Sequence, residues 1–263
     1  MIPRIIHLCW FGKKEYPDLV SKCIRSWEEK MPDYTIMIWN EDSFDVNSIS
    51  WTKEAYAQGK WAFVSDYVRL VALYKYGGIY LDTDMEVLSD ISSYLNTNDF
   101  ICSFIEGCLV SMGFIGTPSN SPIVKRLINY YESQHYLNKD RTQNSIMNTL
   151  IFTKMCIEDY GLRFGSKEFI GEGLHIYPFE YFMPYRKNLI SNNISRRKNY
   201  IITSKTLMIH HDMGSWDKAG RIGKTIRGLA RLIIPSRMYL MLKKIKVLRT
   251  IKKLKLESGS ENE

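Results

Sequence analysis

The chain has 263 residues, of which 45% are hydrophobic and 13% aromatic, enough to bury the core of one large domain. Its net charge of +8 is concentrated in residues 218–256, which hold 13 Lys and Arg and no acidic residue, while the remainder holds 23 basic and 28 acidic residues. This separation excludes any inference from the overall charge to the binding surface of the main domain.

The sequence predicts a cytoplasmic protein. No run approaches the roughly 18 consecutive apolar residues of a spanning helix, and the apolar stretch Ile5–Gly12 is too short for a signal peptide. The five cysteines follow no Cys-x-x-Cys spacing. Free thiols in a reducing compartment are therefore favoured over a Cys102–Cys108 disulfide or a zinc site.

The first forty residues predict a βαβ unit. Ile2–Phe11 is an apolar run with Pro3 near its start and Gly12 just after it, which is typical of a buried strand. Asp18–Lys30 carries apolar residues at helical spacing, and Tyr34–Asn40 is a second apolar strand. Two strands joined by a helix predict a parallel sheet and an α/β fold.

The most clearly predicted helix is Trp61–Tyr76. Apolar residues surround nearly its whole circumference, which is typical of a buried helix. Asp66 and Arg69 interrupt this pattern and, being three residues apart, lie on the same side. Because buried charges need partners, the two residues form either a self-satisfied ion pair or a polar window onto a ligand, and residue type does not separate these alternatives.

Two aspartates follow this helix. Gly77 and Gly78 end it with a tight turn into a strand, Ile79–Leu81, and Asp82 and Asp84 fall at the carboxyl end of that strand, where open α/β sheets bind ligands. Their spacing lets both carboxylates face one point, as a Mg²⁺ or Mn²⁺ site requires. A solvated turn would use the same residue type.

The remainder of the main domain predicts further helices at Val124–Ser133 and Thr142–Tyr160, and a strand followed by a polar loop over residues 200–216. His210 and His211 are adjacent in that last segment. Neighbouring side chains of an extended segment point to opposite faces, so at most one of the two histidines joins a given site.

Three segments together resemble a known family. They are IPRIIHLCWFG near the N-terminus, SDYVRLVALYKYGGIYLDTD over residues 65–84, and HHDMGSW over residues 210–216. Over residues 2–216 the chain is similar to glycosyltransferase family 32, the DXD-motif sugar transferases of the capsular polysaccharide type, which are related to clostridial glucosylating toxins. The resemblance implies a GT-A type nucleotide-sugar-binding α/β fold with a mostly parallel central sheet.

The resemblance also implies a donor site. Trp10 resembles the tryptophan that stacks on the nucleotide base, although a core tryptophan would suit the same position. Asp66 and Arg69 resemble the pair that contacts the sugar and phosphate of the donor. Tyr80 and Asp82 resemble the pair lining the nucleotide side, with Asp82 touching the ribose or reaching the metal through water.

Mn²⁺ or Mg²⁺ is the implied cofactor. Asp84 resembles its direct ligand, and His210 or His211 would complete the metal shell. Ser215 and Trp216 would close over the diphosphate. The implied activity is retaining hexosyl transfer from a nucleotide-diphosphate sugar, UDP-linked by expectation, to a saccharide or lipid-linked saccharide in surface polysaccharide synthesis.

The basic segment, residues 217–256, is predicted as a helical tail outside the catalytic domain 1–216, followed by a disordered terminus, 257–263. Its Leu and Ile residues recur at helical spacing opposite Lys and Arg, with Pro235 dividing the segment. This pattern indicates an element bound to the anionic inner face of the cell membrane, or else an ordinary solvated helix. Nucleic acid is not an expected partner, since Tyr239 is the only aromatic in the tail.

Two other functions compete with sugar transfer. A phosphoryl-transfer enzyme would use Asp82 and Asp84 for metal, but two-metal sites need further acidic ligands, and Glu86 is the only near candidate. A non-enzymatic protein that binds membranes or nucleic acid would depend on the tail alone.

Overall fold

A computed structural model describes residues 1–105, 109–184, 200–211 and 236–254. Within these ranges the strands are β1 Ile5–Cys9, β2 Thr35–Trp39, β3 Gly78–Leu81, β4 Met85–Val87, β5 Phe100–Ile105, β6 Leu109–Val110, β7 Phe114–Thr117, β8 Phe169–Gly171, β9 Leu174–Tyr177 and β10 Met208–His210. The helices are α1 Asp18–Lys30, α2 Ser50–Ala57, α3 Trp61–Tyr76, α4 Pro122–Glu132, α5 Asn148–Tyr160, α6 Phe179–Phe182 and α7 Ser236–Lys253, with a 3₁₀ turn at Ser92–Leu95.

The central sheet has the strand order β2-β1-β3-β7-β5-β9-β8, and β6 pairs with β5. The parallel pairs are β1 with β2, β1 with β3 and β5 with β9. Because β7 and β8 pair antiparallel with their neighbours, the other five strands of this order all run in one direction. The predicted α/β fold with a mostly parallel sheet is confirmed, and β3 is an interior strand between β1 and β7.

Both faces of the sheet are covered. The alternation is visible in β5, where Phe100 and Cys102 face one hydrophobic cluster and Ile101 faces the other. Helices α2 to α5 contribute to the first cluster, while α1 and the two-stranded β4–β10 ribbon contribute to the second. The central strands are therefore buried on both sides, which explains their nearly continuous apolar sequence.

Local pattern predicts some boundaries better than others. Helices α1 and α3 have the predicted bounds, but the helix predicted over Thr142–Tyr160 begins at Asn148. Its first residues instead belong to a loop in which the Asp140 carboxylate accepts a hydrogen bond from the Thr142 backbone N–H at 3.0 Å. Short polar side chains compete with helix formation through such local bonds. Helix α2 is an element that sequence pattern did not predict.

The described part of the tail packs against the main domain. Ile251 of α7 is buried against Leu109 and Leu150, with Val247 beside them. Lys246 and Arg249 are exposed on the same helix. Val247 and Ile251 of this helix therefore have apolar partners within the chain. Among the described helices, none is long and apolar enough to cross a membrane.

The cysteines in the described ranges are all buried free thiols: Cys9, Cys23, Cys102 and Cys156. Burial raises the pKa of Cys9 and of Cys23 to about 12, which suppresses the reactive thiolate. Cys108 lies outside the described residues. These thiols act as small core side chains.

His7 on β1 joins three elements. Its Nδ1 accepts a hydrogen bond from Trp39 Nε1 at 3.1 Å, so its Nε2–H donates to the Gly77 carbonyl at 2.8 Å. The ring is fully buried, and burial lowers its pKa. A neutral imidazole therefore links β1, β2 and the turn after α3.

We expect His7 to reduce stability at acid pH. The unfolded chain takes up a proton at its ordinary pKa of about 6.5, whereas the folded chain resists it. Stability is thus fully present above that pH and is lost as the pH falls, by at most about 1.4 kcal/mol per pH unit. Urea denaturation at pH 7.5 and 5.5 should show a larger loss for the wild type than for His7→Gln; equal losses would contradict this expectation.

Candidate functional site

Two glycines allow α3 to turn directly into β3. Gly77 and Gly78 have φ angles of +63° and +97°, which other residues rarely adopt. A Cβ at Gly78 would lie 2.6 Å from the Ile5 carbonyl oxygen, and one at Gly77 would lie 2.6 Å from the Ser119 backbone nitrogen. The close approach sets β3 beside β1 and places the residues after β3 at the carboxyl edge of the sheet.

Asp82 and Asp84 follow β3 in a tight turn. The Asp82 N–H donates to the Gly113 carbonyl at 2.8 Å, and the Met85 N–H returns to the Asp82 carbonyl at 2.9 Å. Asp84 is buried, while the Asp82 side chain is 28% exposed. The turn thus holds two carboxylates at the carboxyl end of β3.

His210 completes a cluster with these aspartates. Each of the three residues offers a ligand atom, and these atoms all lie within 4.8 Å of one another. His210 Nε2 is 3.1 Å from Asp84 Oδ1 and 3.9 Å from Asp82 Oδ2. Two carboxylates and an imidazole fit Mn²⁺ well, and also Mg²⁺ through the carboxylates. The chemistry of this donor set therefore fits a single divalent cation.

His211 lies on the other side of the strand. Its Nε2 is 2.9 Å from Glu86 Oε2, and both side chains are fully buried. Lys22 Nζ approaches the same carboxylate at 3.0 Å. Of the two adjacent histidines, the structure brings His210 to the aspartates and directs His211 to Glu86.

Arg69 connects the helix to the aspartates. Its side chain is 6% exposed, and the guanidinium donates to Asp66 Oδ1 at 3.0 Å and to Asp82 Oδ1 at 3.1 Å. The same group donates to the Met112 carbonyl at 2.7 Å and lies 4.3 Å from the centre of the Tyr80 ring. The sequence left two alternatives for Asp66 and Arg69, an ion pair with each other or an exposed polar surface that contacts a ligand. The structure has the ion pair, and Arg69 also contacts the Asp82 carboxylate.

Asp66 is buried among these polar groups. Burial raises its pKa to about 6, against the opposing charge of Arg69. Asn148, at the start of α5, donates to the same Asp66 oxygen at 2.6 Å. Sequence reasoning missed Asn148, because no local signal distinguishes it and the contact joins residues far apart in the chain.

Tyr80 and Trp10 occupy different parts of the sheet edge. The Tyr80 hydroxyl donates to Asp82 Oδ1 at 2.8 Å, and burial raises its pKa well above the ordinary value.

Trp10 follows β1, where its Nε1–H donates to the Lys14 carbonyl at 2.6 Å and its ring meets Tyr16 edge-on, with 5.1 Å between the ring centres. A cleft of about 400 Å³ adjoins it, lined by Trp10, Lys13, Lys14, Glu15, Tyr16, Asn40, Glu41 and Asp42. Ser215 and Trp216 lie outside the described residues.

Gly113 limits the position of Asp82. A Cβ at Gly113 would lie 2.7 Å from Asp82 Oδ2, so Gly113→Ala should displace this carboxylate by about 1 Å. We expect the affinity of the cluster of Asp82, Asp84 and His210 for Mn²⁺ to fall roughly 10–100-fold, as it does when the surroundings of a metal ligand are disturbed, with little change in thermal stability. Titration with Mn²⁺ and the melting temperature together test this.

Gly116→Ala on the neighbouring strand β7 is the matched control. There a Cβ would meet the Ile101 side chain at 2.7 Å, inside the core and away from the aspartates. We expect lower stability and an unchanged affinity for Mn²⁺ per folded molecule. The same pattern in both variants would contradict a specific role for Gly113.

Comparisons with known proteins match part of the chain to glycosyltransferases. Residues 17–101 match the family model described as a glycosyltransferase sugar-binding region containing a DXD motif. Inositol phosphoceramide mannosyltransferase 3 of Schizosaccharomyces pombe is 35% identical over 88 residues, 32% of this chain and 24% of that protein. Inositol phosphoceramide mannosyltransferase 1 of the same yeast is 25% identical over 145 residues, 52% of this chain and 43% of that protein.

The chain spans less than half the length of these curated relatives. Among solved structures, the glycosyltransferase GlyE of Streptococcus pneumoniae is 14% identical with a TM-score of 0.47, covering 99% of this chain and 66% of that one. The PaToxG glycosyltransferase is 19% identical with a TM-score of 0.44, covering 60% and 69%. The DXD motif of the matched region is Asp82-Thr83-Asp84, and residues 17–101 are therefore similar to this glycosyltransferase sugar-binding region.

Proposed function

We propose that the protein is a metal-dependent retaining glycosyltransferase of the GT-A type. It moves a hexose from a nucleotide-diphosphate sugar, UDP-linked, to a saccharide or lipid-linked saccharide acceptor in surface polysaccharide synthesis. The observation that carries the proposal is the cluster of Asp82, Asp84 and His210 beside the buried guanidinium of Arg69. Asp82, Asp84 and His210 hold Mn²⁺ or Mg²⁺.

The chemistry requires charge neutralisation at the diphosphate leaving group. When bound, the cation supplies Lewis-acid stabilisation of the charge that develops there. Arg69 adds a fixed positive charge whose position does not change during reaction, because Asp66, Asp82 and Met112 hold its guanidinium. Such preorganised charge in a buried site is worth more than the same charge in water.

Asp66 orients the donor sugar. One oxygen of its carboxylate, Oδ1, already accepts hydrogen bonds from Arg69 and Asn148. The other oxygen, Oδ2, is the one that would accept a hydrogen bond from a sugar hydroxyl. When the acceptor attacks from the same face as the departing diphosphate, the mechanism requires no carboxylate nucleophile, and Asp66 is not assigned that role.

The nucleotide would be bound by other residues. Trp10, beside its cleft, stacks on the base, and Tyr80 and Asp82 line the nucleotide side. Ser215 and Trp216 close over the diphosphate.

A panel of nucleotide sugars tests the proposal. UDP-sugars incubated with the protein and Mn²⁺ should release UDP, a saccharide acceptor should accelerate the release, and EDTA should stop it. Nuclear magnetic resonance of the product should show the anomeric configuration of the donor. Release that is insensitive to EDTA, or no release from any nucleotide sugar, would overturn the proposal.

The environment of Glu86 bears on the phosphoryl-transfer alternative. Two-metal sites need additional acidic ligands, but the Glu86 carboxylate is bound by Lys22 and His211 in the interior. Within the described residues, the metal-type cluster is the single group Asp82, Asp84 and His210. This arrangement favours sugar transfer with one cation.

We propose in addition that residues 217–256 form a basic tail that follows a catalytic domain 1–216 and binds the anionic inner face of the cell membrane while α7 stays packed on that domain. Residues 257–263, expected from the sequence to be a disordered terminus, lie outside the described residues. The exposed Lys246 and Arg249 support an electrostatic contact, each worth about 1 kcal/mol near an anionic surface. Co-sedimentation with phosphatidylserine vesicles should be lost at high salt and in Lys246→Glu/Arg249→Glu. Equal binding to neutral vesicles would contradict it.

A further inference from the structure

The proposed metal cluster depends on a short ribbon. Asp84 directly precedes β4, and His210 ends β10, two strands of three residues each that pair antiparallel outside the central sheet. An isolated two-stranded ribbon is marginally stable. The distance between His210 and Asp84 therefore requires support from outside the ribbon.

Helix α1 supplies the first part of that support. Trp27 Nε1–H donates to the Met85 carbonyl at 2.7 Å, and Ser26 Oγ accepts from the Val87 N–H at 2.9 Å. Lys22 adds its ion pair with Glu86. These contacts come from one side of the helix and fix β4, but none of them reaches β10.

Glu86 links helix α1 to His211, the residue that follows β10. Its carboxylate lies between Lys22 Nζ at 3.0 Å and His211 Nε2 at 2.9 Å, and Glu86 and His211 are both 0% exposed. The His211 backbone N–H also donates to the Asp84 carbonyl at 3.0 Å. His211, immediately beside His210, is thus tied to Asp84 through its backbone and to Glu86 of β4 through its side chain.

We propose that Glu86 and His211 are positioning residues that hold His210 against Asp84 and thereby set the cation affinity of the cluster. Glu86 is not a second metal ligand in this arrangement. The inference rests on the proposed metal site and adds to it the part of the chain that fixes its geometry. Partners behind metal ligands are known to change metal affinity by about 10–100-fold when they are removed.

Titration of the full-length protein with Mn²⁺ alone, followed by the electron paramagnetic resonance of the free and bound ion, tests the inference. Glu86→Gln and His211→Gln should each raise the Kd for Mn²⁺ by about 10–100-fold and change the spectrum of the remaining bound ion. The spectrum is the decisive readout, because general loosening of the fold would lower the bound fraction without altering the coordination of the ion that still binds.

Ser26→Ala is the matched control. It removes another buried bond from α1 to β4 but does not touch the link to β10, so we expect some loss of stability with an unchanged Kd and spectrum. If Ser26→Ala weakens Mn²⁺ binding as much as Glu86→Gln, or if both Gln variants bind like the wild type, this inference is wrong and the metal site stands. If the wild type itself does not bind Mn²⁺, the proposed function and this inference fall together.

Discussion

Replacing Asp84 with Asn is expected to abolish metal-dependent sugar transfer while leaving the fold intact. The substitution keeps the size of the side chain and removes the charge of the buried carboxylate that lies 3.1 Å from His210. Because the outer partners of metal ligands already contribute about 10–100-fold, loss of a direct ligand should lower kcat/KM by more than about 100-fold. The thermal melting curve should lose its dependence on Mn²⁺.

Asp33→Asn is a suitable control for this variant. Asp33 is a surface residue whose side chain is 75% exposed and pairs only loosely with Arg4, at 3.3 Å. We expect wild-type activity and the wild-type response to Mn²⁺. Full activity of Asp84→Asn, measured by nucleotide release at saturating Mn²⁺, would refute the assignment of Asp84 to the metal.

Replacing Arg69 with Met is expected to cost stability as well as activity. Removing one partner of a buried pair leaves an uncompensated charge, which typically lowers the free energy of unfolding by about 3–5 kcal/mol. Here the carboxylates of Asp66 and Asp82 both lose their nearest cation. Urea denaturation at pH 7 measures the loss, and nucleotide release measures the effect on transfer.

The pH dependence of this variant has a defined sign. The pKa of Asp66 is raised to about 6 even with Arg69 present, and loss of the guanidinium should raise it further. A group with a raised folded-state pKa contributes stability at low pH that is lost as the pH rises through that value. Arg69→Met should therefore recover part of its lost stability between pH 7 and pH 5.

Arg126→Met provides the comparison. Arg126 makes a two-pronged pair with Asp159 at the surface, and exposed pairs contribute no more than about 1 kcal/mol. A loss no greater for Arg69→Met than for Arg126→Met would show that the buried network is not needed for the fold.

The elements predicted from sequence are those whose signal is local. Helices α1 and α3 were predicted with their observed bounds because the period of their apolar residues and the glycines at the end of α3 lie within the helix or next to it. The predicted helix α5 was too long at its N-terminal end. The hydrogen bond between Asp140 and Thr142 holds that segment in a loop, and the sequence does not show whether such polar residues will form a local bond of this kind or continue a helix.

The residues of the candidate site were likewise predictable only where the signal is local. The sequence predicted that Asp82 and Asp84 face one point, because both belong to one short segment with a fixed side-chain alternation. It could not choose between His210 and His211, since the choice depends on how β10 pairs with β4. Nor could it find Asn148, whose contact with Asp66 depends on where α5 packs.

The sequence by itself determined the α/β class, the buried helix that carries Asp66 and Arg69, and the strand end that carries the two aspartates, since the periodicity of apolar residues and the preferences of glycine act over a few residues. Only the tertiary structure decided which histidine joins the aspartates, that Arg69 bridges Asp66 and Asp82, and that Glu86 turns inward to Lys22 and His211. The contact between Glu86 and His211 joins residues 125 positions apart, and the geometry of all these contacts depends on the packing of whole elements rather than on any local preference.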